Sequence, residues 1–132
     1  MKKFVPLIWT GGNFWRKTFR QGGVCIYVSH DIQFNIINLD KHNKEKDSEI
    51  CAINIHLSSR RLTVICLYRS PTGNFNYFLK QLELVLNKLH KASSELILCG
   101  DFNISHLDDN ARKHHLESLL AAFNLLASEL FF

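Results

Sequence analysis

Leu96-Ile97-Leu98-Cys99-Gly100-Asp101-Phe102-Asn103 is the stretch on which the reading of this chain turns. Four apolar residues run straight into a glycine and two polar groups set one residue apart. A short apolar run closed by a turn signal predicts a strand covered on both faces. Gly100 lets the backbone turn where a side chain would obstruct it. Asp101 and Asn103 then stand just past the carboxyl end of the strand, where open α/β sheets place their ligands. The same two residues also suit a plain turn that caps the next element. The neighbouring sequence has to decide.

Immediately upstream, Phe75, Phe78, Leu79, Leu82, Leu86 and Leu89 recur at helical spacing, with Lys80, Glu83, Asn87 and Lys88 on other faces. Pro71, in Ser70-Pro71-Thr72-Gly73, marks a turn ahead of that helix. Residues 62–68 alternate as a strand does. Strand, helix, strand is a βαβ crossover, so the two strands run parallel and end at one sheet edge. Tyr68 and Asp101, 33 residues apart in sequence, should share that edge.

Residues 24–28 and 32–36 read as an antiparallel hairpin, and with residues 50–57 and 62–68 as a meander. Residues 41–49 read as a mixed-charge, solvated loop. Residues 1–21 read as an irregular lead-in in which Trp9, Phe14, Trp15 and Phe19 are interleaved with Arg16, Lys17 and Arg20. Those aromatics suit either cover for the first strand or a stacking surface for a nucleic-acid strand. Downstream, Asp108-Asp109 can cap a second helix whose apolar stripe is Leu116, Leu119, Leu120 and Phe123. His114 and His115 point in different directions on that helix and read as surface residues, not a metal pair.

At 132 residues, 46% apolar and 21% charged, the chain holds one globular domain at most. A net charge of +4 and a pI near 9.0 permit attraction to phosphates without making a strongly basic patch. Cys25, Cys51, Cys66 and Cys99 lie inside apolar runs with no Cys-x-x-Cys pair, and read as small reduced core residues. That places the protein inside the cell, nuclear or cytoplasmic, not secreted. No stretch is long and apolar enough for a membrane span, and none is a convincing signal sequence.

Gly22-Gly23-Val24-Cys25-Ile26-Tyr27-Val28, Leu67-Tyr68-Arg69-Ser70-Pro71 and Ile97-Leu98-Cys99-Gly100-Asp101-Phe102-Asn103, in this order, resemble the endonuclease/exonuclease/phosphatase superfamily. In detail they resemble the apurinic-endonuclease-like domain of non-long-terminal-repeat (non-LTR) retrotransposons. The resemblance covers residues 22–132. It implies an α/β (α+β) fold: part of a four-layer α/β/β/α sandwich, an antiparallel meander plus one βαβ unit. It also implies phosphodiester hydrolysis of DNA with Mg²⁺ or Mn²⁺ and an activated water. Asp101 would correspond to the carboxylate that orients or deprotonates the water, and Asn103 to the amide that holds the phosphate. Tyr68 would correspond to the phenol that hydrogen-bonds a phosphate oxygen as charge builds.

The departures are as informative as the matches. Members of that superfamily carry an Asn and a metal-binding Glu ahead of the Gly-Gly-Val segment. Here residues 1–21 contain no Glu or Asp, and Asn13 sits in no recognisable strand. Members also end in an Asp and an Asp-His pair, and this sequence contains no Asp-His dipeptide. Metal ligands are therefore not identified beyond Asp101, and the expectation is a domain truncated at both ends, without turnover of its own. Residual nucleic-acid binding would fall to Arg16, Arg60, Arg61 and Arg69, and uncovered sheet edges would favour self-association. The alternative is a non-catalytic nucleic-acid-binding or protein-interaction module.

Overall fold

The computed structural model describes residues 4–8, 24–29, 31–44, 47–90, 95–104 and 110–125. Strands β1 (Phe4–Ile8), β2 (Cys25–Ser29), β3 (Phe34–Ile37), β4 (Glu49–His56) and β5 (Arg61–Tyr68) precede helix α1 (Phe75–Leu89). Strand β6 (Glu95–Asp101) and helix α2 (Asn110–Ala122) follow. Period-two burial along β5 gives the chain a two-faced strand at the centre. Four strands form one sheet in the order β3-β4-β5-β6, and β1 pairs with β2 separately. The β3–β4 and β4–β5 pairs are antiparallel and β5–β6 is parallel, as the crossover through α1 requires.

The helices cover one face of the larger sheet. Ile50, Ala52, Ile65 and Leu67 meet Phe78, Leu82, Val85 and Leu86 of α1 and Leu116 and Leu120 of α2 in a single buried cluster. Asn74 caps α1, its side chain accepting the Tyr77 backbone N–H at 2.9 Å. His114 and His115 are exposed, as their place beside the apolar stripe predicts. On the opposite face, Val24 packs on Cys51, with Ile26, Cys66 and Tyr68 alongside. The result is an α+β layering of helices, mixed sheet and a second ribbon.

Four features depart from the sequence reading. β2 does not pair with β3 as a hairpin; its partner is β1, in register from Phe4↔Ser29 to Ile8↔Cys25. The short link between β2 and β3 carries the chain from one sheet to the other, so Val24 and Val28 are buried while β3 pairs with β4. Second, residues 4–8 of the irregular lead-in are a strand. Among the described residues β1 pairs with β2 alone, and an edge strand is where proline is tolerated. The lead-in's aromatics from Trp9 to Phe19, and Asp108-Asp109, lie outside the described residues.

Third, β6 is not covered on both faces. Leu96 and Leu98 are half-buried on the helical side, whereas Ile97 is 47% exposed and Cys99 is exposed. Among the described residues β6 pairs with β5 alone, and β2 packs only over the β4 and β5 side of that face. Fourth, the described residues of the 41–49 stretch are not all solvated, although Lys41 and Lys44 are exposed. His42, Ser48 and Glu49 are buried, and the Asn43 amide supplies the backbone partners. Asn43 Nδ2 donates to the Leu39 carbonyl at 2.8 Å and the Ile50 carbonyl at 3.0 Å, while its Oδ1 accepts the Ile50 N–H at 2.7 Å. The backbone groups of this buried turn are thus paired internally through one side-chain amide.

Candidate functional site

The sheet register builds the site. Tyr68, the last residue of β5, stands opposite Glu49 on β4 and Asp101 on β6. Residues opposite one another in a ladder project to the same face, and adjacent strands are about 5 Å apart. Glu49, Tyr68 and Asp101 therefore form a row along the carboxyl edge of the parallel pair, on the face away from the helices. Asp101 is exposed, Tyr68 is half-buried against the second ribbon, and Glu49 is 1% exposed.

The backbone beyond Asp101 is held in a fixed shape. Asp101 Oδ1 accepts the Asn103 N–H at 3.0 Å. Asn103 adopts a left-handed conformation, φ 48°, which asparagine tolerates better than most residues. Its Nδ2 donates to the Arg69 carbonyl at 2.5 Å. The Arg69 N–H in turn donates to the Asp101 carbonyl at 2.9 Å, extending the β5–β6 pairing past both strand ends. Gly100 is required for this path. Its φ is +137°, and a Cβ there would lie 1.8 Å from the Leu67 carbonyl oxygen.

Arg69 locks the arrangement. Its Nε donates to the Phe102 carbonyl at 2.7 Å and its Nη1 to the Gly73 carbonyl at 3.1 Å, and its Nη2 donates to the Asn103 carbonyl. The planar guanidinium thus gathers three carbonyls from two loops, a geometry a lysine could not reproduce. The group is 1% exposed and lies 5.5 Å from the centroid of the Phe75 ring. Expected as a contact for nucleic acid, Arg69 is instead a buried clamp that turns its donors inward.

Tyr68, Asp101 and Asn103 lie together, with Asn103 spending one amide hydrogen on Arg69 and keeping at most the other for a ligand. Arg60 and Arg61 are not part of this edge. Arg61 begins β5, so seven residues of extended strand, about 23 Å, separate it from Tyr68. Arg60 Nη1 meets both carboxylate oxygens of Glu95, at 2.9 and 3.1 Å, at that far end. Arg16 and Asn13 lie outside the described residues.

Glu49 is the residue that the sequence reading misplaced. It falls in the stretch that reads as a charged loop, yet the alternation that puts Cys51, Ile53 and Ile55 on one face of β4, carried one step back, places Glu49 on that face too. The donor set does not by itself make a divalent-cation site. Among the described residues, groups of three or more His, Cys, Asp or Glu side chains able to hold a metal ion are absent. A hard cation such as Mg²⁺ is bound through one or two carboxylates with water and phosphate. Here one carboxylate is exposed and its neighbour two strands away is buried.

A family model for endonuclease-reverse transcriptase matches residues 62–130, just over half of the chain and the whole span from β5 to beyond α2. The chain belongs to that family. The matched span contains Tyr68, Arg69, Asp101 and Asn103 and excludes Glu49. Among solved structures, the chain is similar to the endonuclease domain of TRAS1, a telomere-specific non-LTR retrotransposon. The TM-score is 0.60 and the identity 22%, over 75% of this chain and 45% of that one, so the likeness establishes a common fold. The chain thus spans less than half the length of that solved domain. No curated protein matches it.

Proposed function

We propose that this chain is part of the DNA endonuclease domain of a non-LTR retrotransposon, and that its rim is the phosphate-facing portion of a phosphodiesterase centre. The observation that carries the reading is the register match of Tyr68 with Asp101, continued by Asn103, within the segment matched by the family model. In this reading the Asp101 carboxylate orients or deprotonates the attacking water. The remaining Asn103 amide hydrogen and the Tyr68 phenol meet the phosphate oxygens, where neutral donors stabilise charge that grows during attack. Nucleic acid is the substrate class, met inside the cell, in nucleus or cytoplasm.

The proposal extends to the state of the chain alone: it binds a phosphodiester weakly and does not turn it over. A second carboxylate for Mg²⁺ or Mn²⁺ is not exposed beside Asp101 among the described residues, so no step is assigned to a metal on this chain. Among the described residues β6 pairs with β5 alone, so its outer edge offers a place for a further strand or a second copy.

Two measurements test the reading. Fluorescence anisotropy with a labelled DNA duplex should show binding that weakens as salt rises and falls further in Tyr68→Phe. Binding insensitive to both changes would remove the phosphodiester assignment. Supercoiled plasmid incubated with the chain and either cation should stay uncut; nicking abolished by Asp101→Ala would show that the chain is a working enzyme.

A further inference from the structure

Three cysteines lie side by side across the sheet. Cys51 on β4 is opposite Cys66 on β5, and Cys66 is opposite Cys99 on β6. They occupy the same face as Tyr68 and Asp101, two residues further into each strand. Their surroundings differ sharply: Cys51 is fully buried, Cys66 half-buried and Cys99 exposed. Strand neighbours sit about 5 Å apart, inside the roughly 4.4–6.8 Å between Cα atoms that a disulfide spans.

We propose that Cys66 and Cys99 are a dithiol modification site, which a peroxide closes to a cross-strand disulfide just inside the rim. The two side chains stand opposite one another on the same face of adjacent strands. The Cys99 thiol is held well above the ordinary thiol range, first by its hydrogen bond with Cys66, then by burial and by the charge on Cys66. Its S–H also faces the Ile65 carbonyl at 3.5 Å. Cys99 therefore keeps its proton, which leaves Cys66 as the thiol that meets the oxidant.

The chemistry balances with hydrogen peroxide as the oxidant. The Cys66 thiolate attacks one peroxide oxygen, the O–O bond breaks, and hydroxide leaves a sulfenic acid on Cys66. With that charge gone, Cys99 sulfur attacks the Cys66 sulfur, the S–O bond breaks, and the Cys99 proton leaves with the hydroxyl as water. Two thiols have lost two electrons and two protons, and the peroxide has become two waters. Cys51 has no comparable role, because its burial keeps the reagent out.

The test treats the reduced chain with hydrogen peroxide, removes the excess with catalase, and alkylates in denaturant before mass spectrometry. Two of the four thiols should escape alkylation, with the intact mass lower by two hydrogens before labelling. Peptide mapping should find one linkage, Cys66 to Cys99. Cys51→Ser should behave as the parent does, and Cys66→Ser or Cys99→Ser should each abolish the linkage. A bond to Cys51 or Cys25, a chain-to-chain Cys99 dimer, over-oxidation of Cys99 alone, or four alkylated thiols would each overturn the proposal. The wild-type map reads the outcome even if a serine variant fails to fold.

Discussion

Replacing Arg69 with methionine keeps an unbranched apolar stem but removes the guanidinium and its five donors, so it reports what the clamp contributes. A hydrogen bond from a charged group is worth about 1.5–3 kcal/mol, so three bonds summed would suggest roughly 5–9 kcal/mol. That sum is too high. Gly73 and Asn103 are only half-buried, and water can replace the guanidinium at their carbonyls. Phe102 is 5% exposed and packs against Phe78 at 6.2 Å between ring centroids, so its carbonyl is the one left dry. The full penalty at Phe102, about 1–3 kcal/mol, and about 0.5 kcal/mol at each of the others give a loss of about 2–4 kcal/mol. For a domain of this size that is about 10 °C in Tm. Urea unfolding followed by circular dichroism should show a lower midpoint at an unchanged slope. Arg69→Lys, which can satisfy one carbonyl at a time, should recover only part of the loss. A methionine variant within about 1 kcal/mol of the parent would mean that the three carbonyls are not held by this side chain, and the clamp would be refuted.

Gly100→Ala should cost more than about 4 kcal/mol, because a Cβ would sit 1.8 Å from the Leu67 carbonyl oxygen at a φ of +137°; soluble yield and the unfolding midpoint would report it. Arg60→Ala should change stability by less than about 1 kcal/mol, since its ion pair with Glu95 is exposed, and calorimetry would check that. The raised Cys99 pKa gives a signed pH dependence: the unfolded thiol, with its ordinary pKa of about 8.5–9, ionises before the folded one, so its contribution is complete below that value and lost as pH rises above it. The urea midpoint should fall between pH 8 and 10 more steeply in the parent than in Cys99→Ser, and parallel profiles would contradict the assignment (pH range from the thiol's ordinary value, about 8.5–9).

The βαβ unit was legible in the sequence because its signals are local. Helical spacing of apolar residues over 75–89, Pro71 before it, and a strand running into Gly100 each constrain a few consecutive residues. Handedness and parallel pairing then follow without knowledge of distant contacts. The partner of β2 was not legible, because adjacent strands separated by a short turn most often pair with each other, and nothing local says that the chain changes sheets. Exposure of β6 was hidden for a related reason. An apolar run looks alike whether neighbours flank the strand on one side or both, so Ile97 and Cys99 read as core.

Arg69 shows why charge alone misleads near a rim. In sequence it is one arginine among several in a basic chain, and its neighbours Ser70 and Pro71 announce only a turn. Its burial depends on the Phe102 and Asn103 carbonyls, which reach it through a pairing between segments 33 and 34 residues away. The same bonds place Asp101 and Asn103, because the Arg69 N–H takes the Asp101 carbonyl and the Arg69 carbonyl takes the Asn103 amide. Support of the loop and presentation of the polar pair are therefore one structural act. A one-residue slip of β6 along β5 would leave the guanidinium without its carbonyls and turn Asp101 to the helical face. The register that buries an arginine thus also exposes the aspartate.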